Sequence, residues 1–273
     1  MASGGTNDEG WNVIGRGKGK GRGRPQTFLH GLNPPLREYT AEKLGEEIQK
    51  KMKAWQRSSC RRELLQILDK QRPEQGWQIS QAVCLATGSF SRENWQSRQR
   101  SVTQYAAFVD ITQHLRSGHE AEIRCYAQEP QFTSVDKEYL RRTDVIVLEQ
   151  DSATGSPPGL GPASQHLGLG TFVFEPFMDL DDKAMREMFS ADLSLYIGSS
   201  VRRWMGRASR NGSTNVSVQQ SSELEHAVDF QPHPAAAFVR ARASYHFPVF
   251  EEEPNIFEGL AIYWKEPEDD EGG

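Results

Sequence analysis

Cysteine is scarce in this chain. Cys60, Cys84 and Cys125 are the only thiols in 273 residues, widely spaced, and two of them fall in predicted strands. This speaks against a disulfide framework and for a reducing compartment, the cytoplasm, the nucleus or both. Long apolar runs are missing too. No segment approaches the ~18 consecutive apolar residues of a membrane helix, so no membrane partner is expected. No apolar stretch follows the basic N-terminus, as a secretory signal would require. The seven histidines (His30, His114, His119, His166, His226, His233 and His246) include no i,i+2 or i,i+4 pair and no neighbouring cysteine pair, so no metal site is expected. Gly-x-Ser-x-Gly, the elbow of a hydrolase triad, does not occur.

Charge is uneven rather than lacking. The net charge of -5 gives no overall reason to expect a nucleic-acid binder. Within residues 1–24, however, Arg16, Lys18, Lys20, Arg22 and Arg24 face only Asp8 and Glu9. Residues 251–273 carry nine acidic side chains against Lys265 alone. These ends dilute a hydrophobic content of 36% and a mean hydropathy of -0.68. The middle, from Tyr39 to Trp264, is apolar enough for a core of ordinary domain size.

Three zones follow. Residues 1–37 read as a disordered Arg/Gly-rich tail closed by Pro34-Pro35. Residues 38–265 read as a single α/β domain, and residues 266–273 as an acidic tail. Within the domain, residues 38–72 hold two packing helices: Leu44, Ile48, Met52 and Trp55 recur at spacings of four, four and three, and Leu64, Ile67 and Leu68 share a second face. Gln81 to Phe90 is a short apolar run ending in Thr87-Gly88-Ser89, which predicts a buried parallel strand entering a tight turn before a helix. A helix from Arg92 to Leu115 follows, then a strand from Glu122 to Gln128 ending at Glu129-Pro130. Thr133 and Asp136 have capping-box spacing and open a short helix through Leu140. Val145 to Leu148 is apolar throughout and predicts a strand buried on both faces. Residues 149–170 are loop without a readable helix. Strands at Thr171–Phe174 and Leu193–Ile197 flank a helix at Asp181–Phe189. Residues 206–222 read as a flexible insertion, 235–245 as helical, and Gly259–Lys265 as a last strand. The alternation predicts a Rossmann-like, mainly parallel sheet flanked by helices. Its weak point is the third-to-fourth crossover, which lacks a helix.

Several motifs stand in a fixed order: Thr87-Gly88-Ser89-Phe90, then Glu129-Pro130 with Phe132, Thr133, Asp136 and Leu140, then Glu175-Pro176-Phe177, Tyr196 to Ser200, and Pro254 to Trp264. Together they resemble the Sensitivity-to-Red-Light-Reduced-like (SRR-like) domain over Leu64 to Trp264, in a form similar to its fungal members. The chain departs from the family at Ala86-Thr87-Gly88-Ser89, where many members have Gly-Leu-Gly-Ser, and at Pro176-Phe177-Met178, where many have Pro-His-Cys. The resemblance implies a regulatory protein, since members are linked to light and circadian control in plants, haem-related regulation in animals and cytoskeletal phenotypes in yeast. It carries no established activity or catalytic residue that transfers by position, and it leaves the cofactor open.

Ligands of open α/β sheets sit beyond the strand carboxyl ends, at the switch in strand order. That rule nominates Gly88, Ser89 and Ser91 after the first strand, Glu129 after the second, Glu175 after the fourth and Ser199 after the fifth. The turn at 88–92 would hold an anion at a helix N-terminus. Glu129 lies where dinucleotide and adenosyl-methionine enzymes place a ribose-binding acid. The fingerprint is incomplete: there is one glycine, and Glu129 follows Gly88 by 41 residues rather than ~20. The plainer alternatives are a tight turn with an ordinary cap at Gly88-Ser89, and strand termination by proline beside solvated acids at Glu129 and Glu175. Cys84 and Cys125 read as inert core thiols, and Arg202-Arg203-Trp204 as a solvated helix start. The leading expectation is a non-enzymatic regulatory or interaction protein. The alternatives are an enzyme binding a nucleotide or adenosyl-methionine-type cofactor, and RNA association through Arg16–Arg24.

Overall fold

A computed structural model describes residues 33–116, 122–149, 159–176, 181–203, 205 and 233–265. The central sheet has seven strands: β1 (Gln81–Leu85), β2 (Arg124–Gln128), β3 (Val145–Val147), β4 (Thr171–Glu175), β5 (Leu195–Ser199), β6 (Ala243–His246) and β7 (Leu260–Trp264). Their spatial order is β3-β2-β1-β4-β5-β7-β6. The first five are parallel, and β7 runs antiparallel to both neighbours. The order reverses between β1 and β4, which defines the switch point.

Helices cover both faces because every central strand is apolar on both. On one face lie α1 (Ala41–Arg57), α2 (Ser59–Lys70), α3 (Trp95–Arg116) and α4 (Ser134–Arg142). Thr40 caps α1 by accepting from the Lys43 N–H, and the predicted stripe of Leu44, Ile48, Met52 and Trp55 is buried. Helix α3 is buried on most sides because the sheet lies beneath it and α1 packs on it; its Phe108 ring sits about 6 Å from those of Phe172 and Phe174. On the other face, α5 (Asp182–Ser190) and α6 (Pro234–Arg240) close over an aromatic cluster of Phe189, Tyr196, Phe238 and Tyr263.

The third-to-fourth crossover is solved without an α-helix. Gly161–His166 form a 3-10 turn, and Gln128 at the end of β2 holds it. The Gln128 amide donates to the Leu160 carbonyl at 2.7 Å and accepts from the Ala163 N–H at 2.9 Å. His166 stacks on Tyr126 with ring centroids 4.1 Å apart. A buried polar residue at a strand end thus replaces helix packing.

The structure differs from the sequence expectation at several points. β3 is the outermost strand, and Ile146 is half exposed instead of buried on both faces, because only β2 pairs with it. Residues 243–246 form edge strand β6 rather than continuing a helix to 245. Helix α3 starts at Trp95 and not Arg92, since the chain first makes a nine-residue turn. Asn33–Leu36, assigned to the tail by composition, lie against that turn: the Leu36 N–H donates to the Ser91 carbonyl at 2.8 Å, and the Glu93 N–H to the Pro34 carbonyl at 3.0 Å. The insertion at 206–222, the Arg/Gly tract and the acidic tail at 266–273 fall outside the described residues. No helix among the described residues is long and apolar enough to cross a membrane.

Candidate functional site

The β1 chain leaves the sheet through two left-handed residues, Ala86 (φ 53°) and Gly88 (φ 77°). Left-handed backbone is costly for a side chain with a Cβ. At Gly88 space is short as well, because a Cβ there would lie 2.7 Å from the Ser101 hydroxyl. The turn so formed aims the Gly88 N–H at Glu129, whose Oε2 accepts it at 3.0 Å; Glu129 Oε1 accepts the Gln131 N–H at 2.9 Å. The side chain of Glu129 is therefore aligned by two backbone donors while it stays half-buried at the rim. Desolvation raises its pKa above the ordinary carboxylate value, and the N–H groups of Gln131 and Gly88 oppose that rise.

Beneath this carboxylate lies a buried network. The capping box of α4 forms as its spacing predicts, with the Thr133 N–H donating to Asp136 Oδ2 at 2.9 Å. The same oxygen accepts from the Ser89 hydroxyl at 2.6 Å, and the Ser91 and Thr133 hydroxyls are 2.6 Å apart. Asp136 is fully buried, which raises its pKa, and its hydrogen bonds to Ser89 and Thr133 hold that rise back. Ser89 and Ser91 are themselves buried. Their hydroxyls tie the β1 turn to α4.

Three amides of the turn are committed. Gly88 donates to Glu129, Ser91 to the Ser89 Oγ at 3.3 Å, and Glu93 to the Pro34 carbonyl. Arg92 clamps three segments together, its Nε donating to the Gln131 carbonyl at 3.0 Å and its Nη1 to the Asn33 carbonyl at 2.6 Å.

Glu175 and Ser199 form a second group. By register Glu175 points to the face of α5 and α6, opposite Phe174. It is fully buried; its Oε2 accepts the Tyr196 hydroxyl at 2.9 Å and the Ser199 N–H at 3.1 Å. Gly198 leaves room for the Tyr196 ring to reach it: a Cβ there would lie 2.5 Å from the Tyr196 oxygen and 2.8 Å from the Glu175 carbonyl. Burial and the neighbouring Glu175 charge push the Tyr196 hydroxyl pKa upward.

The structure thus gathers Gly88, Ser89, Ser91 and Glu129 at the ends of β1 and β2, and Glu175 with Ser199 at the ends of β4 and β5. Residues 177–180, between β4 and α5, lie outside the described residues, and with them the Phe177-Met178 departure. Farther along the rim a hollow of about 340 Å³ opens over Phe247, Phe257 and Leu260, edged by His246 and Glu258. Among the described residues no group of three or more His, Cys, Asp or Glu could hold a metal ion. The thiols are free, and burial pushes Cys60 up to about 12 and Cys125 up to about 11, which disfavours the thiolate. Sequence reasoning missed Arg92, Gln128 and Tyr196. Gln128 carried a readable signal, an uncharged polar side chain at the end of a predicted strand, directly before Glu129-Pro130.

A doubly wound sheet with a polar rim at its switch point defines an α/β protein of the Rossmann-like class. The SRR1 domain profile matches residues 48–264. The chain belongs to the SRR1 domain family. No curated protein and no solved structure matches it.

Proposed function

We propose that the chain is a regulatory protein whose rim binds a phosphate-free nucleoside of the adenosyl-methionine type. The observation that carries this reading is the setting of Glu129. Each carboxylate oxygen accepts one backbone N–H and keeps a lone pair for one hydroxyl, and a ribose presents two adjacent hydroxyls. The committed amides weigh against a nucleotide phosphate. A phosphate taking up the N–H groups of Gly88, Ser91 or Glu93 would have to displace Glu129, Ser89 or Pro34, and any phosphate at the turn would stand beside the Glu129 carboxylate. A nucleoside carrying a cationic sulfonium meets neither obstacle.

Calorimetry and thermal shift with adenosyl-methionine, adenosyl-homocysteine, adenosine, 2′,3′-dideoxyadenosine, ATP and NAD test it. Binding of the first three, with loss of at least tenfold for the dideoxy compound and for Glu129→Gln, is expected. A ligand at about 100 times its Kd stabilises by about 2.7 kcal/mol, which a melt resolves. Tighter binding of ATP or NAD would sink the reading.

A second reading, an interaction protein without a small ligand, is favoured by the inward-turned hydroxyls of Ser89 and Ser91, which cap and tie rather than face the rim. Absence of binding by all six compounds selects it. Turnover of the methyl donor by the purified protein would instead make the chain a transferase.

A further inference from the structure

We propose that strand β6 is a pairing edge between two copies of this chain, joined antiparallel about a twofold axis at Tyr245. β6 closes one end of the sheet, and among the described residues only β7 pairs with it. The Phe247 N–H donates to the Leu260 carbonyl at 3.1 Å. In the same register Tyr245 and Ala243 bond toward β7 as well. The N–H and C=O groups of Ser244 and His246 therefore point away from the sheet, a template for a further strand. The opposite edge is guarded, because Asp144 and Glu149 bracket β3 and Lys137 pairs with Glu149 at 3.0 Å. Residues 243–246 hold no Lys, Arg, Asp, Glu or Pro. Apolar surface gathers here instead, with Tyr245 44% exposed and Val249 65% exposed.

The edge is complementary to itself, as an isologous contact requires. A twofold axis at Tyr245 sets Ser244 opposite the partner's His246 and His246 opposite the partner's Ser244. Each outward N–H then faces an outward carbonyl, and both pairs can exchange their bonds. Tyr245 meets the partner's Tyr245 at the position between them, where side chains of paired strands come closest. Its ring is already stacked on Trp264 with centroids 5.5 Å apart, so pairing extends an aromatic row across the junction. Charge follows the same symmetry. Arg240 precedes the strand, while Glu251 and Glu252 follow it, all three exposed. Antiparallel pairing lays the start of one copy beside the end of the other, which sets base near acid twice. Arg240 donates from Nε to the Ala236 carbonyl at 3.2 Å, a bond that leaves its charge without an acid. A foreign strand could use the free backbone groups, but only a second copy brings the tyrosine and the charges in matching order.

The inference goes beyond the nucleoside reading, since it uses neither Glu129 nor Glu175, and either can fail alone. The test is analytical ultracentrifugation of the full chain over about 1–200 µM, the range of a weak dimer. A mass rising with concentration from 30.8 kDa toward twice that value is expected. Ser244→Pro removes an outward N–H that one copy's sheet does not use, and Tyr245→Lys puts a charge on the edge. Each should raise the dissociation constant at least about tenfold, with the thermal melt of the monomer close to that of the wild type. Arg240→Glu and Glu252→Arg should each weaken association alone, because like charges then meet. Mixed together, the two variants should associate more tightly than either does by itself, since acid again faces base. A chain that stays monomeric across the series overturns the proposal. So does a dimer indifferent to Ser244→Pro and Tyr245→Lys, or a mixture no tighter than its components.

Discussion

Replacing Gly88 by alanine tests the turn on which the rim depends. Gly88 has a φ of 77°, and a left-handed alanine costs about 1–2 kcal/mol. Its Cβ would also lie 2.7 Å from the Ser101 Oγ, well inside contact distance. Ser101 is buried, and its hydroxyl donates to the Ser97 carbonyl at 2.9 Å. Turning that hydroxyl away gives up a hydrogen bond, about 1 kcal/mol. The sum is about 2–3 kcal/mol, readable as a lower urea midpoint at unchanged m-value. Removing the obstructing atom separates the two causes. In a double-mutant cycle of Gly88→Ala with Ser101→Gly, about 1 kcal/mol should return as coupling, while the backbone cost stays. If Gly88→Ala unfolds within about 0.5 kcal/mol of the wild type, the ordinary range of a neutral surface change, the strained turn is refuted. Zero coupling would refute the Ser101 contact alone.

Three further outcomes follow from the same geometry. Asp110→Ala strips the partner from Arg61, which bonds it through Nε at 2.7 Å and Nη2 at 3.2 Å, and from the buried Trp55 indole at 3.0 Å. With Arg61 29% exposed and able to reach water, a loss of about 2–4 kcal/mol is expected by urea unfolding. Gln128→Leu removes two bonds to the crossover, so amide exchange at 160–166 should accelerate ahead of global unfolding, with about 2 kcal/mol lost overall. Glu129 and Asp136 have folded-state pKa values raised by burial, so the native state holds their protons more tightly than the unfolded chain does. Their contribution is complete below the unfolded carboxylate range near pH ~4 and is lost as pH rises through the raised values. Stability measured from pH 4 upward should therefore carry a falling component that shrinks in Asp136→Asn. An unchanged pH profile in that variant contradicts the assignment.

The alternation of apolar runs with amphipathic stretches was enough to identify the parallel sheet, because burial on both faces leaves strands such as Phe172–Phe174 without polar positions. Local spacing likewise announced the Thr133/Asp136 capping box and the α1 stripe, since both depend on residues within one helical turn. Strand direction did not show. β7 is as apolar as β4, and only its pairing with β5 makes it antiparallel. β3 looked like a central strand because nothing in Val-Ile-Val records that one neighbour is missing.

The candidate residues divide in the same way. Sequence placed Gly88, Ser89, Ser91, Glu129, Glu175 and Ser199 at strand ends, a position fixed by chain order. Which of them face the rim and which face inward was decided by contacts over long separations: Ser89 by Asp136, Gly88 by Glu129, Ser91 by Thr133, and the turn as a whole by a strap from residue 33. Chain order determines where a side chain emerges from a strand. What it then bonds depends on neighbours brought near by the fold, and those neighbours set both its burial and its freedom to meet a ligand.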